Sequence, residues 1–226
     1  TKGWLYMVKY LIAGGLSALV GYLLGSICFA IPVSRAFLKK DIRTVGSKNA
    51  GMTNVLRCVG VPAAVLTSLG DLGKAIVSVI AANLLFVYFT GGEVYYAGYI
   101  GGVFAVLGHL FPIWFKFKGG KGVMAATGMM LAINPTICLL ALAVFLLIFA
   151  FTHIISISSI SAAISLPIIN YVFLTLSGDP NWIFFTSAAA LVAIVVVIMH
   201  KANIKRLLKG EEKPLVIKKP EKSKES

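Results

Sequence analysis

Acidic side chains are scarce in this sequence: among 226 residues, 8 are Asp or Glu against 21 Lys or Arg, and 13% of positions carry a charge. A chain that is 58% hydrophobic, with apolar runs longer than a soluble domain of its size can bury, is an integral membrane protein. Cysteine is equally thin. Cys28, Cys58 and Cys138 are odd in number, scattered and mostly inside apolar runs, so neither a disulfide framework nor a metal cluster is expected, and no motif calls for an organic cofactor. No internal repeat is present, which gives no support to a transporter built from inverted halves. A nucleotide phosphate loop is missing too: with Gly120-Lys121 as its end it needs Gly at Phe115 and Ser or Thr at Gly122. The basic residues flank apolar runs, which points to membrane lipids and away from nucleic acid as their surroundings.

What is present is a series of long apolar stretches. A membrane-crossing helix needs roughly 20 such residues, because the hydrocarbon core is about 30 Å thick. Stretches near 6–33, 61–89, 95–115, 135–151 and 182–199 meet or approach that length. Residues 157–176 are counted with them, their serines at 158, 159, 161 and 165 being able to hydrogen-bond between helices or to their own backbone. Residues 123–133 cover only about half the bilayer at about 1.5 Å each, which calls for a short helix surrounded by protein. The expected fold is all-α, a polytopic membrane protein of seven transmembrane helices, one of them short. Residues 1–209 form a single transmembrane catalytic domain in this reading and 210–226 a basic tail, disordered or lying on the membrane surface, with one apolar patch at Leu215-Val216-Ile217. The apolar start, which leads into a basic loop, reads as a retained anchor.

The basic residues fall on one side. Six lie in 35–57, three in 116–121 and nine from Lys201 onward, whereas the turns at 90–93, 134–135 and 177–180 carry Glu93 and Asp179 as their charges. Positive loops stay in the cytoplasm, so the N-terminus is expected outside and the C-terminus cytoplasmic.

Four polar segments share that basic side. Lys118-Gly119-Gly120-Lys121-Gly122 combines glycines, which let backbone N–H groups turn to one point, with two cations, as a phosphate site requires. The loop 41–57 is dense in Gly, Ser, Thr and Asn, with Arg43 and Arg57 as guanidinium forks for phosphate; an ordinary positive-inside loop is its plainer explanation. Ser156, Ser158 and Ser159 open a helix whose free N–H groups can hold an anion, and capping alone explains them as well. His200 and Asn203 share a helical face at the end of the last span. His109 lies within an apolar stretch, where an ionisable group needs a partner or a purpose. Asp71 and Lys74 should pair inside the second span, either as a structural pair or as one that faces substrate.

In this order the segments resemble the bacterial membrane-integral glycerol-3-phosphate acyltransferases that use acyl-phosphate as donor. The marks are Gly46-Ser47 with Asn49, Gly51, Thr53-Asn54 and Arg57; Asp71 with Lys74; Gly108-His109 with Pro112 and the run from Phe117 to Gly122; Ser156 with Ser159; and His200 with Asn203-Ile204. The resemblance implies an enzyme of the bacterial inner membrane with a cytoplasmic active site. It would transfer a fatty acyl group to the sn-1 hydroxyl of glycerol 3-phosphate, giving lysophosphatidic acid and inorganic phosphate, with an acyl-phosphate-producing enzyme as a candidate partner. It further implies His109, His200 and Asn203 as catalytic residues, and Ser47, Asn54, Arg57, Lys118, Gly119, Gly120, Lys121, Gly122 and Ser156 as substrate-binding residues. Lys48, Ala125 and His153 depart from the family's usual Gly, Thr and longer basic residue.

The chemistry is consistent with these residues. Two phosphate-bearing substrates, one with a fatty tail, suit a cationic pocket beside an apolar groove, whose walls are expected from 95–117 and the short helix. Lys118, Lys121 and the glycine N–H groups are expected to hold the acyl-phosphate, and Arg57, Asn203 and Ser156 the acceptor. The acyltransferase pair of His followed four residues later by Asp is absent, since Ile113, Ile157 and Ile204 stand at those positions. An activated acyl donor then needs positioning more than a dedicated histidine base. A transporter of a phosphorylated solute is the alternative; it is expected to place polar residues on both sides of the membrane.

Overall fold

In the computed structural model, which describes residues 2–92 and 96–215, every regular element among the described residues is helical. Helices α1 (Lys2–Gly25), α2 (Ala30–Leu38), α3 (Met52–Cys58), α4 (Val61–Thr90) and α5 (Ala97–Leu110) are followed by α6 (Val123–Ile133), α7 (Pro135–Thr152), α8 (Ile155–Leu176), α9 (Trp182–Met199) and α10 (Lys201–Leu208). Among the described residues, six segments are long and apolar enough to cross a membrane: Gly3–Leu38, Val61–Thr90, Ala97–Phe115, Pro135–Thr152, Ile155–Leu176 and Trp182–Met199, with Val123–Ile133 as a shorter apolar helix. Glu93 and Tyr95, expected in an outer turn and at the start of the third span, lie outside the described residues, as do 216–226.

The first apolar stretch is broken, although the sequence reads as one continuous run. Pro32 cannot donate to the Cys28 carbonyl, so the chain leaves the helix after Gly25 and restarts at Ala30. The break is fixed from outside: Lys74 Nζ donates to the Ile27 carbonyl at 2.7 Å and Tyr22 Oη to the Phe111 carbonyl at 2.8 Å. The α1–α5 crossing is close because neither partner has a side chain there. A Cβ on Gly25 would strike the Ala105 backbone, and one on Gly108 the Tyr22 carbonyl.

Helices α1, α4, α5 and α6 pack as one group and α7, α8 and α9 as another, joined through α6 against α7 and α5 against α9. No residue of α6 is exposed. It is the protein-surrounded helix its length demands, and the Asn134 side chain, accepting from the Ile137 N–H at 3.1 Å, caps α7 directly after it. Helix α7 has Ile137 and Cys138 as its buried residues, which leaves most of its surface for lipid.

Candidate active site

The four polar segments converge at one end of the helices around a cleft of about 350 Å³. Ser47, Asn54 and Arg57 from the first loop and α3, His109 from α5, Lys121 and Gly122 before α6, Ser156 of α8, His200 and Asn203 all border it. The N-termini of α6 and α8, whose first N–H groups have no intrahelical acceptor, open onto it and add partial positive charge.

Lys118, Gly119 and Gly120 are not among the cleft's walls. The Gly119 and Gly120 N–H groups donate to the Leu110 and His109 carbonyls at 3.2 and 3.1 Å, so they are not free for an anion, and Lys118 is exposed. These glycines allow close packing instead: a Cβ on Gly120 would meet the His109 imidazole and lie 2.7 Å from the Ala50 carbonyl oxygen. The backbone groups that do face the cleft start at Gly122, whose φ of 85° turns the chain into α6.

Other expected residues organise the loops. Asn54 Nδ2 donates to the carbonyls of Ile42, Val45 and Asn49, each at 3.1 Å, and its Oδ1 accepts from the Ser47 N–H at 2.9 Å. Arg43, expected as a phosphate fork, is engaged elsewhere. Its Nε and Nη2 bind the two Asp41 carboxylate oxygens at 3.0 and 2.9 Å and its Nη1 donates to the Phe115 carbonyl at 2.8 Å, bracing the first loop against the second.

Glu212 is the residue that the sequence reading missed. The chain turns back after α10, and Glu212 Oε1 accepts from Ser156 Oγ at 2.8 Å and from Asn203 Nδ2 at 2.7 Å, while Oε2 pairs with Arg206 Nε at 2.5 Å. Asn203 Oδ1 in turn accepts from Lys121 Nζ at 2.6 Å. Arg57 Nη2 donates to the Lys213 carbonyl at 3.3 Å, and the Leu215 N–H to the His153 carbonyl at 2.8 Å. One carboxylate thus ties α8, α10 and the segment after α10 together, and the Gly-Glu-Glu run among lysines was the available signal. Burial tends to raise its pKa, but the bonds from Arg206, Asn203 and Ser156 hold it below the usual carboxylate value.

The cations differ in state. Burial lowers Lys121 to about 8, with Arg206 and Arg57 adding to the drop and Glu212 opposing it. Burial lowers His200 to about 4. His200 Nδ1 lies 2.7 Å from the Val196 carbonyl oxygen, an atom that only accepts, so Nδ1 carries the proton and Nε2 keeps a lone pair.

An apolar groove of about 360 Å³ continues from the cleft, and Met52, Val123, Met124, Phe145 and Ser159 border both. Its further walls come from α6, α7, α8 and α9, including Met130, Cys138, Leu166 and Val192, with Leu72 of α4. The expectation that 95–117 would line it is corrected: α5 is buried against α1, α4 and α6, and the second bundle supplies the wall instead.

Comparison with known proteins agrees with this arrangement. A family model described as glycerol-3-phosphate acyltransferase matches residues 15–210. A glycerol-3-phosphate acyltransferase of Ralstonia pickettii is 42% identical over 201 residues, covering 89% of this chain and 93% of that protein. One of Clostridioides difficile is 39% identical over 202 residues, covering 89% and 95%. The crystal structure of PlsY, an integral membrane glycerol 3-phosphate acyltransferase, in its glycerol 3-phosphate form superposes with a TM-score of 0.76 at 33% identity, covering 90% of this chain and 96% of the other. Its lysophosphatidic acid form gives 0.73 at 32% identity, with the same coverage.

Proposed function

This chain belongs to the glycerol-3-phosphate acyltransferase family, and on that basis we propose that it transfers a fatty acyl group from acyl-phosphate to the sn-1 hydroxyl of glycerol 3-phosphate. Lysophosphatidic acid and inorganic phosphate are the products. The observation that carries this reading is the direct opening of a cleft bordered by Arg57, Lys121 and Arg206 into an apolar groove through shared walls. The acyl chain lies in the groove, which sets its carbonyl at the junction, and the phosphate of the mixed anhydride faces Lys121 and the first turn of α6. Arg57, Ser47, Ser156 and Asn203 hold glycerol 3-phosphate.

The acceptor hydroxyl oxygen attacks the acyl carbonyl carbon, the bond from that carbon to the phosphate oxygen breaks, and the hydroxyl proton passes to a phosphate oxygen. Inorganic phosphate leaves with the bonding electrons, stabilised by Lys121. His200 orients the hydroxyl through its Nε2 lone pair; lowered to about 4, it is too weak a base to carry the proton near neutrality. Lys118 attracts arriving anions from the rim, and Gly119 and Gly120 seat the loop on His109.

In the same reading the cleft faces the cytoplasm of a bacterial inner membrane, with the N-terminus outside and the C-terminus inside, as the basic loops favour. A single transmembrane catalytic unit, 1–209, is completed by Glu212 from the tail, and an enzyme supplying acyl-phosphate is the natural partner on that face.

The test is phosphate release from purified protein given palmitoyl-phosphate and glycerol 3-phosphate. Release that requires both compounds supports the transferase; release without acceptor would make the protein a hydrolase, and uptake into vesicles without reaction a transporter. The pH profile is a sharper check. kcat/KM for glycerol 3-phosphate should rise to about pH 6, as the phosphomonoester takes its second charge. It should fall above about 8, as Lys121 loses its proton. His200, neutral throughout, adds no limb, and a profile still flat well above pH 8 rejects the role given to Lys121. Gly120→Ala should displace the loop and lower activity roughly 100-fold, whereas Gly73→Ala, with nothing within 4 Å of the new Cβ, leaves it unchanged.

A further inference from the structure

Behind the cleft lies a buried cluster that the acyl transfer does not yet use. Lys74 Nζ is 2.8 Å from Asp71 Oδ1, 2.7 Å from the Ile27 carbonyl oxygen and 2.9 Å from His109 Nδ1. Asp71 and Lys74 are 1% and 6% exposed and His109 3%, yet Asp71 and His109 both border the cleft. We propose that Lys74, fastened by Asp71, holds His109 as the neutral Nε2–H tautomer, so that His109 offers the cleft a hydrogen-bond donor for an anionic phosphate oxygen and not a base.

Two nitrogens 2.9 Å apart share one hydrogen, so one of them must present a lone pair. Aliphatic amines are stronger bases than imidazoles by about four orders of magnitude, so the shared hydrogen belongs to Lys74 Nζ and the lone pair to His109 Nδ1. Two of the ammonium's hydrogens then meet the Ile27 carbonyl and His109 Nδ1, and Asp71 Oδ1 lies 2.8 Å away as its ion-pair partner. A proton on Nδ1 would face that ammonium at hydrogen-bonding distance, which excludes both the imidazolium and the Nδ1–H tautomer. Asp71 Oδ1, 3.4 Å from Nδ1, is too far to compensate. The ring's one remaining proton sits on Nε2, which has no acceptor among the described residues. Nε2 lies where a Cβ on Gly120 would strike it, beside the residue that precedes Lys121.

A histidine with Nδ1 engaged and Nε2 protonated has no lone pair to take a hydroxyl proton. The two histidines of the cleft therefore act in opposite senses: His200 accepts through Nε2 and His109 donates through Nε2. Lys74 and Asp71 are positioning residues, and the break between α1 and α2, whose Ile27 carbonyl binds Lys74, belongs to the same device. This inference relies on the acyltransferase reading for the identity of the phosphate ligands, not for the tautomer.

The test is long-range proton–nitrogen NMR on histidine-labelled enzyme in detergent, with His109 assigned through His109→Gln. The expected spectrum has a pyridine-type Nδ1 and a pyrrole-type Nε2, whose proton moves downfield when glycerol 3-phosphate or inorganic phosphate is added. A shift with glycerol 3-phosphate alone marks the donor as specific to the bound acceptor, and a shift with both marks a general phosphate contact; each supports the proposal. A protonated Nδ1, or an Nε2–H signal unmoved by either ligand at saturation, overturns it. Lys74→Gln should move protonation toward Nδ1, and an unchanged tautomer in that variant removes Lys74 as the positioning residue. In turnover, His109→Gln, which keeps an N–H donor, should raise KM for glycerol 3-phosphate less than tenfold, roughly, and His109→Leu roughly 10- to 100-fold. Equal losses in the two variants would reduce His109 to packing. Because the tautomer is read without turnover, failure of the acyltransferase assay and failure of this inference are separate results.

Discussion

Lys121→Met should abolish most of the activity while leaving the protein at least as stable as before. The ammonium is removed from the place where phosphate charge develops, and loss of one such preorganised group costs about 10²- to 10³-fold in rate. Asn203 Oδ1 also loses its donor at 2.6 Å, so the acceptor site loosens as well, and kcat/KM should fall roughly 1,000-fold. Stability should move the other way. Burial lowers Lys121 from 10.5 to about 8, which means that the folded protein binds this proton less tightly than the unfolded chain does. Below about pH 8 the charged lysine opposes folding, and that penalty fades as pH rises from about 8 toward 10.5. Methionine removes it at every pH. A thermal midpoint equal to or above that of the parent at neutral pH, with activity nearly gone, is the expected pair of readings. A midpoint that drops together with activity would make Lys121 a structural residue. Lys121→Arg should restore little, because a planar fork does not fit a slot built for a compact ammonium.

Glu212→Ala should damage both properties. The carboxylate, its side chain 6% exposed, binds Ser156, Asn203 and Arg206. Truncation leaves two polar groups of the cleft without a partner and releases the segment that reaches Arg57 and the end of α7. Hydrogen bonds to a charged group are worth about 1.5–3 kcal/mol each when buried, and Arg206, 41% exposed, adds less. A net loss of about 3 kcal/mol is expected, read as a lower thermal midpoint in detergent and a roughly 100-fold fall in kcat/KM. Glu212→Gln keeps an oxygen for Ser156 and Asn203 and loses the charge opposite Arg206, so it should fall between parent and alanine variant. Unchanged midpoint and turnover in Glu212→Ala would show that this carboxylate only rests on the cleft.

Much of the molecule was legible before any coordinate. The apolar stretches, the short helix 123–133 and the grouping of polar segments on one side follow from composition along the chain. A helix closes its backbone hydrogen bonds within its own segment, and entry into lipid depends on that segment's own side chains. Each polar run flagged in the sequence contributes to the cleft, and the Asp71–Lys74 pair forms as expected at 2.8 Å.

What the sequence left open is which atom meets which. The Gly119 and Gly120 amides read as an anion cradle until the fold gives them carbonyls of α5, and the free N–H groups prove to lie one step later, at the start of α6. Glu212 read as tail until the turn after α10 carried it to Ser156, 56 residues away. The apolar wall moved from α5 to α7, α8 and α9 because all of these helices are apolar enough to line it and packing decides which is already covered. Helix identity is fixed by neighbours along the chain. The hydrogen bonds of this site include Lys74 with His109 and Lys121 with Asn203, 35 and 82 residues apart, and nothing short of the folded bundle brings these together.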